Sequence, residues 1–362
     1  MTLDLPASAK LYLRPVQLAD SPVDRDGELV RLAGGLSWCS AVELIAREKG
    51  KRVLQRTVAI ADLPEDPRIV AILERIAAPR APLALGPRIV RLDQPQVMAI
   101  LNRTPDSFSD AGTHMQDADA AASAGVDMAA AGAAILDIGG ESTRPGAAEI
   151  WEGEEIERVV PVIRRLARGG AAISVDTRRA AVMAAALQAG AHLVNDVAAL
   201  LHDPGALEVV VAAGCPVVLM HSPEPQKGPH GGEGYGDVLL DVYDWLEKRV
   251  EDVAAAGVDR ARILVDPGIG FGKSLQDNLA LLNGLALFHG IGCGLVLGAS
   301  RKRMIGALSN EAPADLRLGG SLALALKGAD AGVQLIRVHD VFETVQALRV
   351  WRGLRDAALI AR

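Results

Sequence analysis

From residue 97 onward the chain repeats one unit eight times: a short apolar run, a polar residue at its end, then a longer stretch with helical spacing. The apolar runs lie at 97–101, 134–138, 172–175, 193–194, 217–220, 263–265, 295–297 and 335–338. Stretches rich in Ala and Leu separate them, among them 118–131, 154–167, 178–189, 238–256 and 315–329. Strands that alternate with helices pair in parallel, because the helix carries the chain back to the starting edge. Eight such units in roughly 260 residues match a (β/α)8 barrel. A doubly wound open sheet is the competing fold. It would gather polar residues at one switch point, whereas here they follow all eight runs.

The segment before this repeat reads differently. Its pattern predicts a strand at 10–16, a helix near 41–49, a strand near 52–59 and a helix near 67–77. Pro79, Pro82 and Pro87 then suggest a linker. The expected division is an accessory α/β segment of unknown role at 1–95 and a barrel at 96–362, with the barrel able to fold without residues 1–90. No chemical motif stands out in the accessory segment.

Composition narrows the partners. Thirty-eight basic and 45 acidic residues leave a net charge of −7, and aromatics make up 3% of the 362 residues. A mildly acidic chain with few stacking side chains is poorly suited to nucleic acid. The uncharged run 278–300 contains Asn283, His289 and several glycines, so it reads as helix, loop and buried strand rather than a membrane span. The beginning has no basic stretch followed by an apolar one, and Cys39, Cys215 and Cys293 show neither disulfide nor zinc spacing. A cytoplasmic protein without membrane partners is expected.

In a barrel the ends of all strands meet at one mouth. The polar residues at those ends are, in order, Asn102, Asp137, Asp176, Asn195 with Asp196, His221, Asp266, Ser300 with Arg301 and Lys302, and Arg337 with His339. Each has an ordinary explanation. Asp176 could cap the next helix, Asp266 before Pro267-Gly268 could build a turn, and Ser300–Arg301–Lys302 could be a solvated surface run. His339-Asp340 could open the last helix, and His221 could be a packed polar residue. Coincidence at every strand end requires all of these together, so the ring reads as a site. His192, His202 and His230 keep the ordinary reading.

Two nucleotide motifs fail. GFGKS ends like a P-loop, but Pro267 stands where that pattern needs glycine, and Lys273 stands where GxGxxG needs its last glycine. There is no HExxH and no Cys/His cluster, so zinc is not expected. Carboxylates and amides deep in an apolar barrel suit a flat heterocycle with N–H donors and a carbonyl, and Asp266 with Asn195 could supply the complementary groups. Arg337 and His339 at the start of a helix suit a phosphate or diphosphate. Mg²⁺ would be the natural bridge to it.

LNRTPDSFSDAG (101–112), DIGGESTRPGA (137–147), SVDT (174–177), VND (194–196), DPGIGFGK (266–273), GASRKRMIG (298–306) and RVHDV (337–341) resemble, in order, the motif set of the dihydropteroate synthases. The resemblance covers about residues 96–357 and leaves the amino-terminal segment out. It implies condensation of 6-hydroxymethyl-7,8-dihydropterin diphosphate with p-aminobenzoate to 7,8-dihydropteroate and diphosphate, a step of folate biosynthesis that sulfonamides block by mimicking p-aminobenzoate. Carried over residue by residue, it places Asp176, Asn195, Asp266 and Lys302 on the pterin, with Met220 and Phe271 beside the rings. Asn102 would hold Mg²⁺ and diphosphate, and Arg337 and His339 would also grip the diphosphate. Asp137 would lie near the pterin and its leaving group. Thr143, Arg144, Pro145 and Ser300 would form the p-aminobenzoate site. The loop with Thr104, Asp106, Phe108, Ser109 and Asp110 would be a mobile lid closing with 141–146, and Asp110 would approach the Mg²⁺. A homodimer joined through the late helices is implied as well.

Three departures from the family pattern stand out: Arg103 in place of a small apolar residue, Ala111 in place of a common glycine, and Ser222–Pro223–Glu224–Pro225 after the fifth strand. Two other readings follow. A pterin-dependent methyltransferase domain shares the barrel but has no use for a diphosphate grip. A catalytically silent pterin-binding module would draw on Arg103 and the altered fifth loop.

Overall fold

A computed structural model of the chain describes residues 8–103, 117–142, 147, 149–226 and 234–360. Eight parallel strands close into a barrel: β7 (Gln96–Asn102), β8 (Ile135–Gly139), β9 (Ile173–Asp176), β10 (Leu193–Asp196), β11 (Val217–Met220), β12 (Ile263–Asp266), β13 (Gly294–Leu297) and β14 (Leu335–Val338). They fall on the eight apolar runs. The helices that return the chain are α2 (Ala118–Ala131), α3 (Glu152–Arg168), α4 (Ala180–Ala189), α5 (Ala206–Ala213), α6 (Val238–Ala255), α7 (Leu275–Asn283), α8 (Arg303–Leu308), α9 (Leu318–Asp330) and α10 (Val341–Ile360). The fold is the expected (β/α)8 barrel.

Period-two alternation sorts each strand into an outward and an inward set. On β8, Leu136 and Ile138 join the core under the helices while Ile135 joins the cluster at the barrel floor. Asp137, two residues on, therefore points inward one layer higher. The same step leads from Leu193 to Asn195, from Val218 to Met220, from Leu264 to Asp266 and from Leu335 to Arg337. The polar ring thus starts at the second inward layer, above an apolar first layer, with Asn102 and Asp176 one step higher, level with Gly139.

That first layer has a stopper. Two short strands, β5 (Leu83–Leu85) and β6 (Arg88–Val90), pair as an antiparallel hairpin. Leu83, Leu85, Val90 and Leu92 pack with the inward residues at the foot of the barrel, from Met98 to Leu335. The expected proline linker is therefore structured. Pro82 and Pro87 flank strands of three residues each, too short to leave a periodic signal.

The amino-terminal segment is an antiparallel sheet with one helix. Strands β1 (Lys10–Ala19), β2 (Val30–Arg31) and β4 (Lys51–Ala59) all pair with a central β3 (Trp38–Glu48). Helix α1 (Pro67–Ala77) starts where expected, with the Asp66 carboxylate accepting from Arg68 N–H at 2.8 Å and Pro67 in the first turn. The helix expected near 41–49 is a correction: it is the second half of β3. This strand is covered on both faces. Val42, Leu44 and Ala46 pack with Ile69, Ile72 and Ile76 of α1, while Ile45 joins the barrel's helical core beside Tyr12. A strand buried on both sides loses its alternation and cannot be told from a buried helix by periodicity.

Candidate active site

Arg337 stands at the centre of the polar layer. Its Nε–H donates to Asp137 Oδ2 at 2.6 Å and its Nη2–H donates to Asp176 Oδ2 at 2.6 Å. Asn195 Nδ2–H donates to the same Asp137 oxygen at 3.0 Å. Asp137 is fully buried, and its Oδ1 has no hydrogen-bond partner among the described residues. One guanidinium thus ties together strands β8, β9 and β14. Burial pushes the Asp176 carboxyl up to about 7; Arg337 pulls against this, and Asp137, Glu155 and Asp196 push with it. The Arg337 guanidinium is held firmly protonated by Asp137 and Asp176, against its own burial.

Besides Asp176 and Asn195, the pterin-facing candidates come from β11, β12, the turns beyond them and the loop after β13. Gly268 N–H donates to Asp266 Oδ1 at 2.7 Å, a hydrogen bond that favours the carboxylate while burial pushes the same group up. Gly268 has φ +70, and a Cβ there would lie 2.0 Å from the carbonyl oxygen of His221, so only glycine allows this turn. Met220, Phe271 and Val197 form a small apolar cluster of their own. Lys302 Nζ lies 4.0 Å from the centroid of the Phe271 ring, within cation–π range.

The anion-facing candidates come from β13, β14 and the start of α10. Ser300 Oγ lies 3.0 Å from His339 Nδ1 and accepts the His339 backbone N–H at 3.2 Å. Arg301 between Ser300 and Lys302 has φ 56, and its Nε–H donates to Asp340 Oδ2 at 3.0 Å. Arg301 lines the cavity beside Ser300 and Lys302, with its guanidinium held by Asp340. A cavity of about 1090 Å³ runs over the layer, with Asn102, Asp176, Phe271, Lys302, Arg337 and His339 on its walls. This volume lies just above the range of single-ligand sites, as suits a site for two substrates.

Asn102, Asp137, Asp176, Asn195, Met220, Asp266, Phe271, Ser300, Lys302, Arg337 and His339 thus share one barrel mouth. Asp110, Thr143, Arg144 and Pro145 lie outside the described residues, as does the proposed lid from Thr104 to Asp110. Asp196 turns out to be a turn builder: its carboxylate accepts from Ala198 N–H and Leu200 N–H, each at 2.7 Å. His221 is buried edge-on against Trp245 at 4.9 Å, and burial holds its imidazole well below the ordinary range, in keeping with the packed reading. Of the departures, Arg103 reaches out to α3, where its Nη1–H donates to the carbonyl of Arg158 at 2.9 Å. Ser222 ties the altered fifth loop back to the carbonyl of Val197 at 3.2 Å.

Sequence reasoning passed over two groups. Lys273 is half-buried, and its ammonium donates to the carbonyls of Gly268 at 2.9 Å, Phe271 at 3.0 Å and His221 at 3.3 Å. Burial brings it down to about 7. In the sequence it closes the DPGIGFGK stretch and the discarded P-loop likeness of GFGKS, and neither gave it a role. The second group joins Glu141, Glu149 and Glu155 to Arg178 and Arg179. Arg178 meets both Glu141 at 3.0 Å and Glu149 at 2.9 Å, while Arg179 meets Glu141 at 2.8 Å and Glu155 at 2.6 Å. These arginines hold Glu141 below its ordinary range although burial pushes it up. Glu141 and Glu149 flank the stretch with Thr143, Arg144 and Pro145, so Arg178 fastens both of its ends.

Fold and site together define a barrel enzyme that takes a flat donor–acceptor ring and an anion side by side. The family model described as pterin binding enzyme matches residues 98–339. The dihydropteroate synthase of Escherichia coli strain K12 is 47% identical over 260 residues, which is 72% of this chain and 91% of that one. Among solved structures, the Xanthomonas albilineans dihydropteroate synthase with 4-aminobenzoic acid has a TM-score of 0.71 and 46% identity, covering 76% of this chain and 98% of that one. The same organism's enzyme in complex with 7,8-dihydropteroate has a TM-score of 0.68 and 44% identity, with the same two coverages, 76% and 98%. The chain belongs to the dihydropteroate synthase family, and so to the transferases.

Proposed function

We infer that this chain condenses 6-hydroxymethyl-7,8-dihydropterin diphosphate with p-aminobenzoate to give 7,8-dihydropteroate and diphosphate. The observation that carries the reading is the grouping of polar side chains at the barrel mouth, from the inward strand residues and the turns beyond them. It sets ring-binding groups (Asp266, Asn195, Lys302, Phe271) beside anion-binding groups (Arg337, His339) at one mouth. Asp176, Asn195, Asp266 and Lys302 would hold the pterin edge, and Met220 and Phe271 its faces. Ser300 would border p-aminobenzoate together with Thr143, Arg144 and Pro145.

The chemistry needs no protein nucleophile. The C–O bond to diphosphate breaks with its electron pair leaving on oxygen, and the exocyclic carbon is left as a cation conjugated with the electron-rich dihydropterin. Asp137, Asp176 and Asp266 favour that cation electrostatically. Two of the N–H groups of Arg337 meet Asp137 and Asp176. Its others, with His339 and the amino end of α10, would take the charge growing on diphosphate. The amine of p-aminobenzoate then forms the new C–N bond and releases a proton. Orientation of the two substrates over one layer supplies much of the rate.

Mg²⁺ fits this site through oxygen. Asn102 sits at the end of β7 on the cavity wall, and a Cβ on Gly139 would lie 3.0 Å from its Oδ1, so the amide is packed tightly against the next strand. No cluster of three or more His, Cys, Asp or Glu occurs among the described residues, so most ligands would come from diphosphate and water, as is usual for this cation. When bound, the ion would neutralise charge on the leaving group. The family's homodimer is also proposed here, through α10: Phe342, Val350 and Leu354 are 63%, 61% and 68% exposed. Three buried free cysteines suit the reducing cytoplasm, and no helix among the described residues is long and apolar enough to cross a membrane.

Diphosphate release by the purified chain with both substrates and Mg²⁺ tests the reading, beside Asp266→Asn. Release that requires p-aminobenzoate and drops at least about a hundredfold in the variant is expected. Pterin binding without release would point to the silent module.

A further inference from the structure

The amino-terminal sheet has no part in the chemistry derived so far, yet it makes a built interface with α6. Asp237, Asp241, Asp244 and Glu247 follow each other at spacings of four, three and three, so they form one acidic row along that helix. Every member of the row meets the sheet. Arg52 forks onto Asp237 at 2.6 and 3.0 Å. Arg47 bridges Asp241 and Asp244, the latter at 3.0 Å. Tyr12 O–H reaches both oxygens of Asp244 at 2.9 Å, and Lys10 Nζ lies 2.6 Å from Asp244 and 2.6 Å from Glu247. Arg47 is 14% exposed, so part of this interface is shielded from screening.

From α6 two routes lead inward. At its start, Asp241 also accepts the backbone N–H of Gly236 at 3.1 Å and of Asp237 at 3.0 Å. The carboxylate held by Arg47 therefore fixes the chain just after Tyr235, whose ring lies 6.0 Å from Lys273 Nζ. On the inner side of α6, Trp245 meets His221 edge-on. The His221 N–H donates to the Asp266 carbonyl at 2.9 Å, and its own carbonyl accepts from Lys273. Lys273 in turn holds the carbonyls of Gly268 and Phe271.

We propose that the amino-terminal sheet is a positioning unit for the pterin half of the site: by pairing the acidic row of α6 it seats Trp245 and Tyr235 against His221 and Lys273, and through them the 266–273 turn that carries Asp266 and Phe271. Arg47 and Arg52 are its positioning residues. The inference rests on the pterin reading of the cavity. Ser300 and His339 are braced instead by each other and by the neighbouring Arg301–Asp340 pair, none of which belongs to α6 or the sheet. The p-aminobenzoate side should therefore be spared.

The test uses the full chain carrying Arg47→Met and Arg52→Met together. KM for the dihydropterin diphosphate should rise by about fivefold or more, with KM for p-aminobenzoate within about twofold. The paired Arg47→Lys and Arg52→Lys variant should return most of the loss. Asp237→Asn is the gentler second variant: asparagine still caps α6 but gives up the ion pair, and the same one-sided rise is expected. Calorimetric affinity for the dihydropterin diphosphate gives the same answer without turnover, so a chain that fails to release diphosphate still tests the inference. Unchanged pterin affinity in both variants would overturn it. So would equal loss for the two substrates, or a lower melting temperature with both KM values intact.

Discussion

Arg337 neutralises two carboxylates at once, and Asp266 adds to the same field. Burial carries Asp176 up to about 7, with Asp137, Glu155 and Asp196 pushing the same way and Arg337 pulling against them. The sign of the consequence is fixed. Asp176 ionises near its ordinary value in the unfolded chain but only near 7 in the folded one. Its contribution to stability is complete at low pH and is lost as pH rises from about 4 through 7. Asp176→Asn mimics the protonated carboxyl and removes this loss. The melting temperature of that variant, relative to the parent, should climb between pH 4 and pH 7.5; a flat difference across that range would contradict the assignment. These acids were legible in the sequence because each one lies at or beside the end of an apolar run. Lys273 was not. It serves three carbonyls rather than a side chain, and carbonyl partners leave no residue type to recognise.

Among the elements, the hairpin β5–β6 differs most from its appearance in the sequence. Strands of three residues between prolines look like a linker, and only the closed barrel supplies the apolar floor they cover. Leu85 is fully buried there. Leu85→Ala should destabilise the chain by about 2–4 kcal/mol, read from denaturant midpoints, as for other core leucines. A cost below about 1 kcal/mol would mean that the hairpin is an ornament. The barrel strands were legible because polar residues mark their ends and helices separate them. β3 was not, because cover on both faces erased the alternation that would have given it away.

For the molecule as a whole, the exposed side of α10 bears on assembly. A period of 3.6 residues puts Phe342, Val350 and Leu354 within about 120° of one another, a stripe wide enough for a helix face. A sedimentation experiment should give the mass of two chains, and Leu354→Asp should shift it toward one by placing a charge in the stripe. A parent that sediments as a single chain would leave the stripe without the proposed partner. The floor hairpin also decides how this protein can be recombined with others. A chimera spliced just ahead of β7 would inherit a barrel without its stopper and with the apolar side chains from Met98 to Leu335 open to water. One spliced ahead of Arg80, whose guanidinium already grips the carbonyls of Cys293 and His289, would carry its own closure. The workable seam for exchanging barrels therefore lies on the far side of the hairpin from the first barrel strand.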